Sequence, residues 1–193
     1  MNNKETEAVV FVVDDDPSVR RSLRRLLGSA GHSVQLYASA HEFLHQKRDD
    51  RPACLILDVR MPGLDGLKLQ EALAKKDGSI PIIFISGYGD ISTSVQAMKG
   101  GAMDFLPKPF SESALLNAVE EALDRFRRES AARKEIVEAK QRLARLTPRE
   151  TEVLTRVVAG RLNKQIAFEL GISEKTVKAH RGRVMRKLEV GSV

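Results

Sequence analysis

Five short strand-like runs, three of them apolar throughout, each closed by a polar or turn residue and followed by a helix-forming stretch, constrain this chain more than any other feature. Ala8–Val13 (AVVFVV) runs into Asp14-Asp15-Asp16 and Pro17. Ser33–Tyr37 is the second run. Ala53–Asp58 (ACLILD) leads into Met61-Pro62-Gly63, Ile80–Ile85 (IPIIFI) into Ser86-Gly87, and Ala102–Leu106 into Pro107-Lys108-Pro109. Runs that are apolar throughout, without alternation, belong to strands covered on both faces, and the alternation with helices predicts a parallel sheet. The intervening helices start at recognisable caps. Asp16 precedes Pro17, with Val19, Leu23, Leu26 and Leu27 at helical spacing to about Ala30 and Gly31 at the end. Further helices are expected over about Ala40–Lys47, Gly66–Lys75 and Asp90–Lys99, and from Ser111 onward.

In such a sheet the crossovers are right-handed and all carboxyl ends lie on one edge, where open α/β sheets place their chemistry. Asp14, Asp15, Asp58, Ser86 and Lys108 are then brought together. Converging carboxylates repel and raise one another's pKa. A hard divalent cation resolves that conflict, and Mg²⁺ prefers carboxylate oxygens, water and a shared phosphate oxygen. Lys108 supplies a point charge for a phosphoryl oxygen and Ser86 a hydroxyl. The set suits holding a phosphoryl group on Asp58. Each piece alone has a plain structural reading as a helix cap, a solvated turn or a loop lysine; their occurrence together at four strand ends supports the functional one.

From about Val9 to Phe126 the chain resembles the receiver domain of two-component response regulators. The matching residues are Asp14-Asp15, Asp58 with Met61-Pro62-Gly63, Ser86-Gly87 and Lys108-Pro109. The resemblance implies a flavodoxin-like (βα)5 fold with a five-stranded parallel sheet. It implies that a sensor histidine kinase phosphorylates Asp58, and that Asp15, Asp58 and the backbone carbonyl of Arg60 hold Mg²⁺, with Asp14 helping through water. It also implies that Ser86 moves toward the phosphoryl group while Phe105, an aromatic switch without a hydroxyl, turns inward. The Lys108–Pro109 bond is often cis in this family. Arg60 and Tyr88 flank the site and are expected to tune water access.

Charge separates this region from the rest. Residues 1–124 hold 14 Lys+Arg against 18 Asp+Glu, a net of −4, whereas residues 125–193 hold 18 against 8, a net of +10. An acidic front and a basic tail point to different partners, the second expected to be nucleic acid. Between them, residues 127–145 read as a helical linker continuing the last receiver helix. Ala132, Ile136, Ala139, Leu143 and Leu146 recur at helical spacing. Two heptads fall short of a coiled coil, so this stripe reads either as a self-associating face or as a solvated spacer.

The third segment, residues 146–193, opens on Thr147-Pro148-Arg149-Glu150, a capping box with proline at the first helical position. Its helix carries Val153, Leu154, Val157 and Val158. Asn163 is expected to cap a second helix to Leu170, Gly171 makes the turn, and Ser173 caps a third helix from Glu174 to about Leu188. That order is a helix-turn-helix. The stretch resembles the LuxR/GerE-type DNA-binding domain through Leu146–Glu150, Asn163–Ala167 and Leu170–His180. With the receiver it points to FixJ/NarL-type transcription regulators, nearer FixJ. Lys178, Ala179 and Gly182 occupy the usual base-facing positions; Lys175 and Arg186 share their side of the helix; Thr176, Arg181 and Arg183 are expected on phosphates. The family usually carries a fourth helix as a dimer contact, whereas this sequence stops at Gly191-Ser192-Val193. Dimerisation is therefore expected through the receiver or linker unless the chain is shortened.

The lone cysteine, Cys54, excludes a disulfide framework. No apolar stretch is long enough to span a bilayer, so a cytoplasmic location with no membrane partner is expected. The expected function is phosphorylation-controlled transcription regulation, with Mg²⁺ as cofactor, a sensor histidine kinase and double-stranded DNA as partners, a homodimer on phosphorylation, and no enzymatic turnover. A constitutive DNA-binding regulator with a silent receiver is the alternative. An aspartyl-phosphate hydrolase would want a second acid two residues after the nucleophile, where Arg60 stands.

Overall fold

The computed structural model describes residues 8–46, 51–75, 80–87 and 91–190. The chain divides into two compact units, Met1–Ser130 and Ala131–Val193. The first alternates strand and helix: β1 (Val9–Val13), α1 (Pro17–Ser29), β2 (Ser33–Tyr37), α2 (Ala40–Leu44), β3 (Ala53–Asp58), α3 (Gly66–Ala74), β4 (Ile82–Ser86), α4 (Ile91–Lys99) and β5 (Asp104–Pro107), then α5 (Glu112–Ala144). All five strands are parallel, in the order β2-β1-β3-β4-β5. The order reverses between β1 and β3, so the crevice outside those two carboxyl ends is where such a sheet binds ligands.

The continuous apolarity of β1, β3 and β4 follows from their burial, whereas the edge strands β2 and β5 are only partly buried and carry Gln35 and Asp104. Phe11, Val13, Leu55, Leu57 and Phe84 face one core with Phe43 and Leu69, while Val10, Val12, Ile56, Ile83 and Ile85 face another with Leu23, Leu27, Leu115 and Leu123. Neighbours in a strand point to opposite faces, so a strand covered twice has no place for a polar residue until it leaves the sheet. Cys54 lies in the second core with no exposure, where burial pushes its thiol up to about 12.

The caps are local. Asp16 accepts the N–H of Ser18 at 2.7 Å ahead of Pro17, and Ser111 accepts that of Ala114. The last receiver helix does continue, as expected, through 33 residues. Its buried positions end at Leu123; Ile136 and Leu143 are exposed. Some boundaries shift by two residues: β4 begins at Ile82 and β5 at Asp104. Lys47, Tyr88, Asp90 and residues 191–193, which the expectations above include, lie outside the described residues.

The second unit adds α6 (Pro148–Val158), α7 (Asn163–Leu170) and α8 (Glu174–Leu188). Thr147 and Glu150 close the box in both directions, Glu150 N–H to Thr147 Oγ1 at 3.3 Å and Thr147 N–H to Glu150 Oε2 at 2.9 Å. Gly171 makes the turn at φ 63°, a left-handed conformation that glycine adopts without penalty. Ser173 Oγ accepts the Thr176 N–H. Val153, Ile166, Ala167 and Val177 form the small core. One cap differs from expectation. Leu162 is the N-cap of α7, its N–H held by Gln165 Oε1 at 2.9 Å, and Asn163 is the first helical residue. The Asn163 side chain accepts from Arg181 at 2.7 Å. Among the described residues no helix is long and apolar enough to cross a membrane.

Candidate functional site

The strand ends converge on Lys108. Its Nζ lies 2.7 Å from Asp58 Oδ1 and 2.8 Å from Asp14 Oδ2, across 50 and 94 positions of sequence. The remaining carboxylate oxygens are held by backbone: Arg60 N–H donates to Asp58 Oδ2 at 2.8 Å and Asp16 N–H to Asp14 Oδ1 at 2.8 Å. Asp14 is 1% and Asp58 7% exposed. Ser86 is buried at the end of β4, and its carbonyl accepts the Lys108 N–H at 2.7 Å, which ties the lysine loop to that strand end. The Lys108–Pro109 peptide is cis.

Burial raises the Asp58 pKa above the ordinary carboxylate value. Lys108 and the Arg60 N–H pull it down but do not cancel that rise, and Asp14 adds to it. Burial opposes the charge on Lys108 as well, yet its hydrogen bonds to Asp14 and Asp58 prevail and its pKa is raised. The site thus holds one ammonium against two buried carboxylates, short of cation by one charge. Asp15 stands next to it at the exposed rim. Among the described residues no three acidic, histidine or cysteine side chains cluster as a metal site; in this arrangement the ammonium takes the neutralising position between Asp14 and Asp58. The donors available are nonetheless all hard oxygens, the class that Mg²⁺ prefers.

Phe105 is half-buried against the first core, its ring centroid 6.3 Å from that of Phe84. Two supports escape a reading of the sequence. Arg20 of α1 donates to the Asp14 carbonyl at 2.6 Å. Gly66 opens α3 against the backbone carbonyl of Asp58, where a β-carbon would collide, and its N–H donates to Val59 O at 2.9 Å. A glycine directly after a capping aspartate is the only hint the sequence holds of that close approach.

In the second unit Lys175, Lys178, Ala179, Gly182, Arg183 and Arg186 are exposed along α8. Thr176 is half-buried, its hydroxyl 2.8 Å from that of Ser173. Arg181, expected at a phosphate, is half-buried. Its guanidinium bonds Asn163 of α7, and it lines an apolar groove of about 240 Å³ between α6 and α8 with Val153, Val157, Val184 and Leu188. Helical spacing alone leaves position 181 at the border of the two faces, and in the structure its partner is in α7. Glu150, beneath the first turn of α6, accepts from Lys187 Nζ at 2.6 Å, and that bond with the Thr147 N–H holds its pKa down to about 2.

A parallel sheet with an acid-acid-lysine cluster at its switch point, followed by a helix-turn-helix with a basic second helix, defines a signal-controlled DNA-binding protein. Residues 10–120 match the response regulator receiver domain, and residues 144–193 match the bacterial regulatory proteins of the luxR family. The chain belongs to the response regulators that control transcription. It is 49% identical over 188 residues to nodulation protein W of Bradyrhizobium diazoefficiens, covering 97% of this chain and 83% of that protein. It is 45% identical over 186 residues to the response regulator protein TodT of Pseudomonas putida, covering 96% and 82%. Among solved structures, that of the response regulator StyR is 50% identical and superposes with a TM-score of 0.88 over 97% of this chain and 94% of that one. Full-length FixJ from B. japonicum is 39% identical with a TM-score of 0.58, covering 97% and 92%.

Proposed function

We propose that Asp58 accepts a phosphoryl group from a sensor histidine kinase and that this controls dimerisation and operator binding. The observation that carries the proposal is the Lys108 ammonium shared between Asp58 and Asp14, which places a cation where a phosphoryl oxygen on Asp58 would need one. Asp14, Asp15, Asp58 and the Arg60 carbonyl would hold Mg²⁺, whose bound charge would neutralise the phosphoryl oxygens. The chain's own groups do the rest. Asp58 supplies the attacking oxygen, Lys108 and the Arg60 N–H orient its carboxylate, and the Ser86 hydroxyl would bond the phosphoryl group after arrival. Residues 1–126 act as the receiver, 127–145 as a linker and 146–193 as the DNA-binding part.

The reply of the domain is a shift of population between two states. Ser86 and Phe105 would move together and alter α4 and β5. α4 presents Ile91, Val95 and Met98 at helical spacing, 84%, 44% and 47% exposed, a face suited to a second copy of the chain. In the DNA complex Lys178, with Ala179 and Gly182 beside it, would face bases, and Lys175, Thr176, Arg183 and Arg186 would hold phosphates. Arg181 instead braces α8 on α7. The phosphoryl group is the signal here and not a product, and the protein works in the cytoplasm.

The test is labelling with acetyl phosphate in Mg²⁺, then a gel shift with and without beryllofluoride. Asp58→Asn is expected to take no label, and wild-type protein to bind operator more tightly when activated. Persistent labelling of Asp58→Asn would sink the acceptor assignment; equal operator affinity in both states would make the receiver silent.

A further inference from the structure

The burial of α4 is concentrated at one end. Ala97 is its buried residue, while Ile91, Val95 and Met98 face outward. At that same end α3 reaches across. Gln70, buried at 5% exposure, donates its Nε2–H to the Ala97 carbonyl at 3.0 Å. That carbonyl also accepts the Ala102 N–H at 3.1 Å, and the N–H groups of Gly100 and Gly101 close on Gln96 and Met98 at 2.9 and 3.0 Å. Gly100 makes room for the amide. A β-carbon there would lie 2.6 Å from Gln70 Oε1, 2.8 Å from Cδ and 3.0 Å from Nε2. Gly101 adopts φ +91° but Gly100 does not share that left-handed conformation; space, and not backbone freedom, calls for glycine at 100.

We propose that Gln70 and Gly100 form a latch that fixes the C-terminal end of α4, so that the helix hinges about Ala97 and delivers the change of state at its Ile91 end. Releasing the latch would leave the buried Gln70 amide without its partner, a cost the domain avoids by moving the other end. That other end follows Ser86 closely in sequence, so the residue that would sense the phosphoryl group adjoins the mobile half. Gln70 is a positioning residue in this scheme and touches none of the reacting atoms. The inference rests on the reading of α4 as the output face.

Hydrogen exchange on the full chain, with and without beryllofluoride in Mg²⁺, tests it. Exchange at Val95 and Gln96 is expected to change about fivefold or more on activation, and at Gly100, Gly101 and Ala102 by less than about twofold. Equal changes at both ends would overturn the latch. No change anywhere in α4, with Asp58 still labelled, would overturn the output reading on which it rests. A second arm needs no activation: Gln70→Ala should speed exchange at Gly100 to Ala102 in the unmodified protein, and unchanged rates there would overturn the latch alone. Gln70→Ala and Gly100→Ala should each take label at Asp58 normally yet weaken beryllofluoride-induced dimers about fivefold. The double variant should be no worse than Gln70→Ala, since the lost amide leaves room for the new β-carbon; additive losses would refute the coupling. Gln70→Glu keeps the shape but not the N–H, so dimers as tight as wild type would show that the hydrogen bond is not what acts.

Discussion

Two carboxylate–lysine pairs of nearly equal length behave in opposite ways. In the receiver, Asp58 and Lys108 are 2.7 Å apart and the acid's pKa is raised; in the helical unit, Glu150 and Lys187 are 2.6 Å apart and the acid's pKa falls to about 2. Distance therefore does not decide the outcome. Around Asp58 burial dominates, and one ammonium is divided between two acids. Around Glu150 the hydrogen bonds dominate: it has Lys187 to itself among its charged partners and the Thr147 N–H besides. The first pair holds charge at a cost and gains from a change in ligation. The second is a permanent brace between the start of α6 and the end of α8.

The comparison can be broken most forcefully through the small core. Ile166→Ala removes a fully buried side chain from a cluster of four buried residues and should cost about 2–5 kcal/mol. The helical unit is expected to melt while labelling of Asp58 persists; thermal denaturation followed by labelling checks it, and joint loss would mean that the two units do not fold separately. Next in size, Lys178→Ala should weaken operator binding by about 1–3 kcal/mol and relax specificity, while Arg183→Ala should weaken binding to all DNA and lower the salt slope by about 1. Gel shifts across a salt series separate the two.

Asp58→Asn should act in the opposite sense on stability. A folded pKa above the unfolded one means that the acid's contribution is fully present at low pH and is lost as pH rises through the folded value. At pH 7 the ionised group opposes folding, so the uncharged isostere should raise the receiver's melting point. A fall would show that the Lys108 pairing outweighs burial. The smallest effect is the brace. Glu150 is depressed from 4.5 to about 2, so its contribution is present above pH 4.5 and is lost as pH falls through about 2. Lys187→Ala should flatten the acid side of the helical unit's stability profile over that window.

Strands β1, β3 and β4 were legible because burial on both faces permits only apolar residues until a chain leaves its sheet, so Asp14, Asp58 and Ser86 mark strand ends. The Asp16, Thr147 and Ser173 caps were legible because each bonds within three residues of itself. What escaped depends on distance in sequence. Gln70 meets Ala97 across 27 positions, and no local pattern announces it. The Arg181 bond to Asn163 was not legible because that partner belongs to another helix. Asn163 itself looked like a cap by residue type, but Gln165 reaches back to Leu162 and moves the boundary by one.

Cys54 carries a practical consequence. It is the chain's only cysteine, sits at the centre of the sheet between Val10 of β1 and the β4 side, and has no exposed surface. Alkylating reagents attack the thiolate, and a thiol raised to about 12 in a closed core offers almost none. Modification therefore waits for the sheet to open. The rate at which a maleimide consumes this one sulfur is a clock for global opening of the receiver, blind to events in the helical unit, and it runs without any engineered label.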